Sequence, residues 1–98
     1  MTDHAITREV RSDGSKGRYV IRQGADEAEL TYSVISPQLI IADHTGVPDA
    51  FRGTGAGLAM VTRMVADART EGFKIMPLCP FVNATRKKHP DWGDVFSV

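Results

Sequence analysis

Apolar and polar positions alternate with two different periods along this chain. From Glu29 to Ile35, Leu30, Tyr32 and Val34 point to one side and Glu29, Thr31 and Ser33 to the other, the period-two pattern of a half-buried strand. Ile6–Val10 and Arg18–Arg22 read as two earlier strands, with Tyr19 and Ile21 set against Arg18, Val20 and Arg22. Asp13-Gly14-Ser15-Lys16-Gly17 and Gln23-Gly24-Ala25-Asp26 supply the turns between them. After Pro37, Leu39-Ile40-Ile41-Ala42 predicts a strand buried on both faces. The period then changes. Leu58, Val61, Val65 and Ala68, with Met64 beside them, recur at helical spacing and predict an amphipathic helix of about 15 residues. Gly72 stands where a left-handed cap would end it. Phe73–Met76 predicts a fifth strand, and Asn83–His89 a short helix capped by Asn83 and stopped by Pro90. Trp92, Val95 and Phe96 are expected to fold the tail back onto the body. The fold class is therefore α/β (α+β): a mostly antiparallel, twisted five-stranded mixed sheet with one long helix and one short C-terminal helix.

Ninety-eight residues make one domain's worth of chain, and 1–98 is read as a single domain. Twelve basic residues against twelve acidic ones leave no net charge, which argues against bulk attraction to nucleic acid or an anionic membrane. An apolar run such as Leu39–Ala42, which no other run exceeds, falls far below the roughly 20 residues that span a bilayer, and MTDHAITREV lacks the form of a secretory signal. Cys79 is the only cysteine, so no intrachain disulfide is possible and a cytoplasmic location is the default expectation. Cys79, His4, His44 and His89 are scattered without ligand spacing, and no metal site is expected. Met60, Met64 and Met76 read as core filler.

The chemistry concentrates in His44–Leu58. Gly53, Gly55 and Gly57 alternate immediately after a strand and immediately before a helix. Glycine lets backbone N–H groups approach a ligand closely, and the helix start adds unpaired donors and a positive dipole end. This combination suits a phosphate or diphosphate. The G-x-x-x-x-G-K-[ST] loop is excluded because Leu58 and Ala59 follow Gly57, and the G-x-G-x-x-G spacing is absent. What remains is R-x-x-G-x-G, spanning Arg52-Gly53-Thr54-Gly55-Ala56-Gly57. A glycine-rich turn that merely lets the helix pack on the sheet is the plain alternative.

Here the sequence resembles the Gcn5-related N-acetyltransferases, in which this pattern wraps the diphosphate of acetyl-coenzyme A. The run His44-Thr45-x-Val47-Pro48, the glycine loop, Cys79-Pro80-Phe81-Val82 and His89-Pro90-Asp91-Trp92 together look like the short, single-domain YjdJ-type subgroup. The resemblance covers nearly everything from Glu29 to Trp92. It implies a minimal acyl-CoA N-acyltransferase fold and acetyl-CoA as substrate, with no metal. Two departures stand out. Pro48 lies four residues before Arg52 instead of three, and the first two strands are joined by Asp13–Gly17 alone, which leaves no room for the helices that border the acceptor pocket in longer members.

On this reading Arg52, Gly53, Thr54, Gly55, Ala56 and Gly57 hold the diphosphate. Thr45 and Val47 pair with the pantetheine amides as an added strand would. Asn83, Thr85 and Arg86 attract phosphates, although the cluster Arg86, Lys87, Lys88 and His89 reads equally as a solvated face. Cys79 is a candidate nucleophile for an acyl relay, activated by the start of the last helix or by the His44 imidazole, or else a small buried hydrophobe. His44 is a candidate general base, or a residue that fixes the Thr45–Val47 turn. The expected function is acetyl transfer from acetyl-CoA to an amine or other small nucleophile. The partners are acetyl-CoA and an acceptor, without nucleic acid or membrane, in a monomer or weak homodimer. The competing class is a non-catalytic coenzyme A or acyl-coenzyme A binding module acting as a sensor or interaction partner.

Overall fold

A computed structural model describes residues 4–98. Five strands form one sheet in chain order: β1 (Ile6–Val10), β2 (Lys16–Gln23), β3 (Asp26–Ser36), β4 (Leu39–Gly46) and β5 (Lys74–Pro77). The first four pair antiparallel as successive hairpins, and β5 joins β4 in parallel. The parallel pair is connected by α1 (Ala56–Glu71), and β5 leads into α2 (Pro80–Lys87). Among the described residues no helix is long and apolar enough to cross a membrane.

Each hairpin has a local cause. Gly24 adopts φ +60° between β2 and β3, and Gly14 adopts φ +73° beside Asp13, whose carboxylate accepts from both the amide and the hydroxyl of Ser15. The inner face of the sheet carries Tyr19, Ile21, Ala28, Leu30, Tyr32, Ile40 and Ala42 against α1. From α1 come Met60, Val61, Met64, Val65 and Ala68. Met60 and Met64 are core filler as expected, whereas Met76 on β5 is only half-buried. Leu58 is a correction: it is 44% exposed, and the buried stripe of α1 begins instead with Ala56 and Gly57.

The outer face has no helix on it. Val20 is nevertheless 1% exposed, against the alternation expected for β2. On β2 it stands between Arg18 and Arg22 and opposite Glu29, within a lattice of ion pairs: Arg18 reaches Glu9, Glu27 and Glu29 at 2.6–2.8 Å, and Arg22 reaches Glu9 and Glu27. Side-chain stems above a small apolar residue can bury it without a second layer. With no helix on the outer face, Leu39–Ala42 is not buried on both faces. Ile40 and Ala42 are buried, while Leu39 and Ile41 are half-buried.

Between β1 and α1 lies a polar cluster. Arg8 donates to the Tyr32 hydroxyl at 3.0 Å and pairs with Asp67 at 3.3 Å and with Glu71. Tyr19 donates its hydroxyl to Asp67 at 2.8 Å. Burial, then this bond, pushes the Tyr19 phenol far above its ordinary value. The tail closes the far edge of the sheet. Trp92, Val95 and Phe96 are buried, the Ile75 amide donates to Val95 O, and the Ser97 amide donates to Ile75 O.

Candidate active site

The site grows from a fork. β4 and β5 pair only from Leu39↔Lys74 to Ala42↔Pro77, after which β4 runs on to Gly46 while the other chain turns into α2. Cys79 sits in the crotch. Its amide donates to Ala42 O at 2.9 Å, its carbonyl accepts from the Asn83 amide, and its Sγ lies 3.1 Å from Thr45 Oγ1. It is 3% exposed.

Past β4, Pro48 introduces a single 3-10 turn, Asp49–Phe51, which sinks Phe51 into the core and leaves Arg52 outside. Among the described residues the Arg52 guanidinium pairs only with Asp49, at 3.3 Å, with both side chains almost wholly in solvent. Such a pair contributes little and is readily given up to another anion. Gly53 and Gly55 take φ +77° and +76°, a conformation in which side chains with a Cβ are strained. Gly57 is helical, and its constraint is different: a Cβ there would lie 2.7 Å from Cζ of Phe81. The aromatic ring of α2 therefore rests on the first turn of α1.

These turns leave donors over. The Thr54 amide bonds to Phe51 O, the Ala56 amide meets Thr54 Oγ1 at 3.3 Å, and the Ala59 amide starts the helical ladder at Gly55 O. Among the described residues no acceptor meets the amides of Gly53, Gly55, Gly57 or Leu58. There is no acidic residue in the first turn of α1 to neutralise them. They border a groove of about 540 Å³ that runs from Thr45 and Val47 past the glycine loop to Leu58 and Phe81. Val47, Leu58 and Phe81, 41–44% exposed, give this groove an apolar wall.

The structure thus brings Thr45, Val47, Arg52, Gly53, Gly55, Ala56 and Gly57 onto one groove. Thr54 supports it from beneath, with its hydroxyl donating to Phe51 O at 2.6 Å. Other expectations change. α2 begins at Pro80, not Asn83, with Cys79 as N-cap. Proline at the first helical position sets φ and loses no needed N–H. Asn83 is inside the helix, and its Oδ1 accepts from Arg86 Nε at 2.8 Å. Thr85 is buried and donates to Phe81 O. None of Asn83, Thr85 and Arg86 lines the groove; Arg86 borders a separate hollow with Lys87, His89 and Phe96.

His44 and Cys79 are not brought together either. Thr45 pairs with Leu30 on the inner face, whereas His44 pairs with Thr31 on the outer face. The register slips by one residue between Tyr32↔Ala42 and Thr31↔His44, leaving Asp43 as a bulge. One extra residue reverses the facing of everything beyond it. His44 is exposed, and a Cβ placed on Gly46 would lie 3.5 Å from its Nε2 and 3.7 Å from Cγ of Glu29. One supporting residue gave no sequence signal: Nε2 of His4 lies 2.7 Å from Thr54 O and donates to it, tying the N-terminal segment to the glycine loop. Among the described residues no group of three or more His, Cys, Asp or Glu side chains could hold a metal ion.

Residues 18–95 match the family described as GCN5-related N-acetyl-transferase. A solved structure that resembles the chain is the NMR solution structure of a GCN5-like N-acetyltransferase candidate from Staphylococcus aureus. It is 28% identical, with a TM-score of 0.68, over 99% of this chain and 91% of that one. No curated protein matches the chain. The chain belongs to the GCN5-related N-acetyltransferase family, and an acyltransferase role follows at that level.

Proposed function

We propose that the chain binds acetyl-coenzyme A along the Thr45–Phe81 groove and transfers its acetyl group to an amine. The observation that carries this reading is the set of four unpaired amides at Gly53, Gly55, Gly57 and Leu58, opening into a groove with Arg52 at its rim. A diphosphate needs several convergent donors and a positive field, and a helix N-terminus with a loose arginine supplies both. The free stretch of β4 beyond Ala42 offers main-chain groups to the amides of the pantetheine arm. Val47, Leu58 and Phe81 would cover its methylenes. The four motifs in order support placing the chain in the short YjdJ-type subgroup.

When bound, acetyl-CoA supplies an acyl group activated as a thioester. Acyl transfer forms a C–N bond, breaks the C–S bond so that coenzyme A leaves as its thiolate, and releases from the attacking amine one proton that ends on that thiolate. His44, exposed on the outer face at the end of the same strand, would take that proton from an amine that approaches the thioester past Gly46 from the outer side. The inner-face groove and the outer-face imidazole flank Gly46, where the strand carries no side chain. Direct transfer is the simpler route on this geometry. A relay through Cys79 requires the thiol to leave its seat against Thr45 and reach the groove.

The buried thiol and the bare outer face also favour a second reading, a coenzyme A binding module without turnover. Calorimetry with coenzyme A, followed by intact mass after incubation with acetyl-CoA and an amine, separates the readings. Binding plus an acetylated amine with no protein adduct supports direct transfer. An adduct lost in Cys79→Ser supports the relay. Binding with neither supports the module, and no binding by the folded chain contradicts all three.

A further inference from the structure

The outer face of the sheet holds a second groove, of about 580 Å³, that runs across four strands. At one end it is bordered by Arg11 and Lys16, and at the other by Asp43, the bulge residue immediately before His44. Most charge on this face is already spent. Arg18 is held by three glutamates, and two of those, Glu9 and Glu27, also hold Arg22. The end groups are different. Lys16 has no acidic partner among the described residues, and Arg11 comes only within 4.0 Å of Asp13. Asp43 accepts from the Ser33 hydroxyl at 2.6 Å through one oxygen and keeps the other. All three are exposed. The groove is therefore polarised, receiving a cation beside His44 and an anion two or three strands away.

We infer that this outer-face groove seats the acceptor, and that the acceptor is an extended peptide carrying an acidic side chain three or four residues from its reacting amine. The inference rests on the transferase reading above. Adjacent strands lie about 4.8 Å apart, so Asp43 on β4 is roughly 10 Å from Lys16 on β2 and roughly 14 Å from Arg11 beyond β1. An extended peptide advances about 3.3 Å per residue, which gives the spacing of three to four. Thr31 and Ser33 line the floor; their hydroxyl protons go to His44 O and Asp43, which leaves their oxygens to accept from peptide N–H groups. A small amine would leave the Arg11–Lys16 end unused.

The test uses the full chain labelled with 15N and two capped peptides. One has a lysine followed four residues later by glutamate, and the other has lysine in place of that glutamate. The glutamate peptide should shift the amides of Lys16, Ser33 and Asp43 and bind about fivefold more tightly than its partner, the range of one exposed ion pair. The double variant Arg11→Glu/Lys16→Glu, which changes two exposed side chains, should reverse the preference. An unchanged preference in that variant, or shifts that avoid Lys16 and Asp43, would overturn the inference. A coenzyme A titration of the same sample reads the glycine-loop amides separately. Loss of those shifts with the peptide preference intact would sink the transferase reading, and the reverse pattern would sink only the peptide site.

Discussion

Gly55 and Gly57 are two residues apart, yet alanine should act on them by opposite routes. At Gly55 an added Cβ meets nothing within 4 Å, but φ is +76°. An L-residue held there costs about 1–2 kcal/mol. For a domain of this size each kcal/mol is worth roughly 4–8 °C in Tm, so Gly55→Ala should melt at least about 4 °C lower. Gly57 sits in ordinary helical conformation, where alanine is favoured over glycine by up to about 1 kcal/mol. Its Cβ, however, would lie 2.7 Å from Cζ and 3.0 Å from Cε2 of Phe81. The ring must move, and overpacking costs about 1–3 kcal/mol, here at the low end because one side of the ring is in solvent. Gly57→Ala should thus be neutral to mildly destabilising in the wild-type background and stabilising in Phe81→Ala. Urea unfolding of the four proteins of this cycle should give a coupling of at least about 1 kcal/mol. Additivity within roughly 0.5 kcal/mol would refute the contact.

Three further outcomes are expected. Arg8→Met strips a charged donor from the Tyr32 hydroxyl and from Asp67, and should cost about 2 kcal/mol, read as a Tm lower by roughly 8–16 °C. Arg22, then Arg18, hold Glu9 below the usual carboxylate range, and Arg69 does the same for Asp94. Their contribution is present above the unfolded-state pKa and lost as pH falls through the depressed one, so the urea midpoint should drop on acidification and drop less in Glu9→Gln. His4→Ala removes the bond to Thr54 O and should speed hydrogen exchange at the Thr54 amide, which is held by Phe51 O, while costing only about 1 kcal/mol of global stability.

The meander, the long helix and the glycine loop were legible because each rests on local rules. Alternation places Leu30 and Tyr32, helical spacing places Val61 and Val65, and left-handed φ needs Gly53 and Gly55. What escaped depends on non-local geometry. Unbroken alternation from Ala42 would put His44 on the inner face near Cys79, and only the Asp43 bulge moves it away. Val20 is buried on a face where Arg18 on its own strand pairs with Glu9 and Glu29 from the two neighbouring strands, a pattern no single segment contains. The start of α2 was misplaced for a different reason. Asn83 is a good cap by type, but Pro80 at the first helical position and the Cys79 amide bond to Ala42 O set the boundary three residues earlier. The role of His4 depends on a contact fifty residues away in sequence.

The central claim is that main-chain donors at the start of α1 hold a diphosphate. A 15N-detected titration of the folded chain with coenzyme A tests it most directly. The amides of Gly53, Gly55, Gly57 and Leu58 should move furthest, and should weaken in response as salt is raised. Largest shifts centred instead on Arg86–His89 or on Lys16 and Asp43, with the glycine loop silent, would contradict the account.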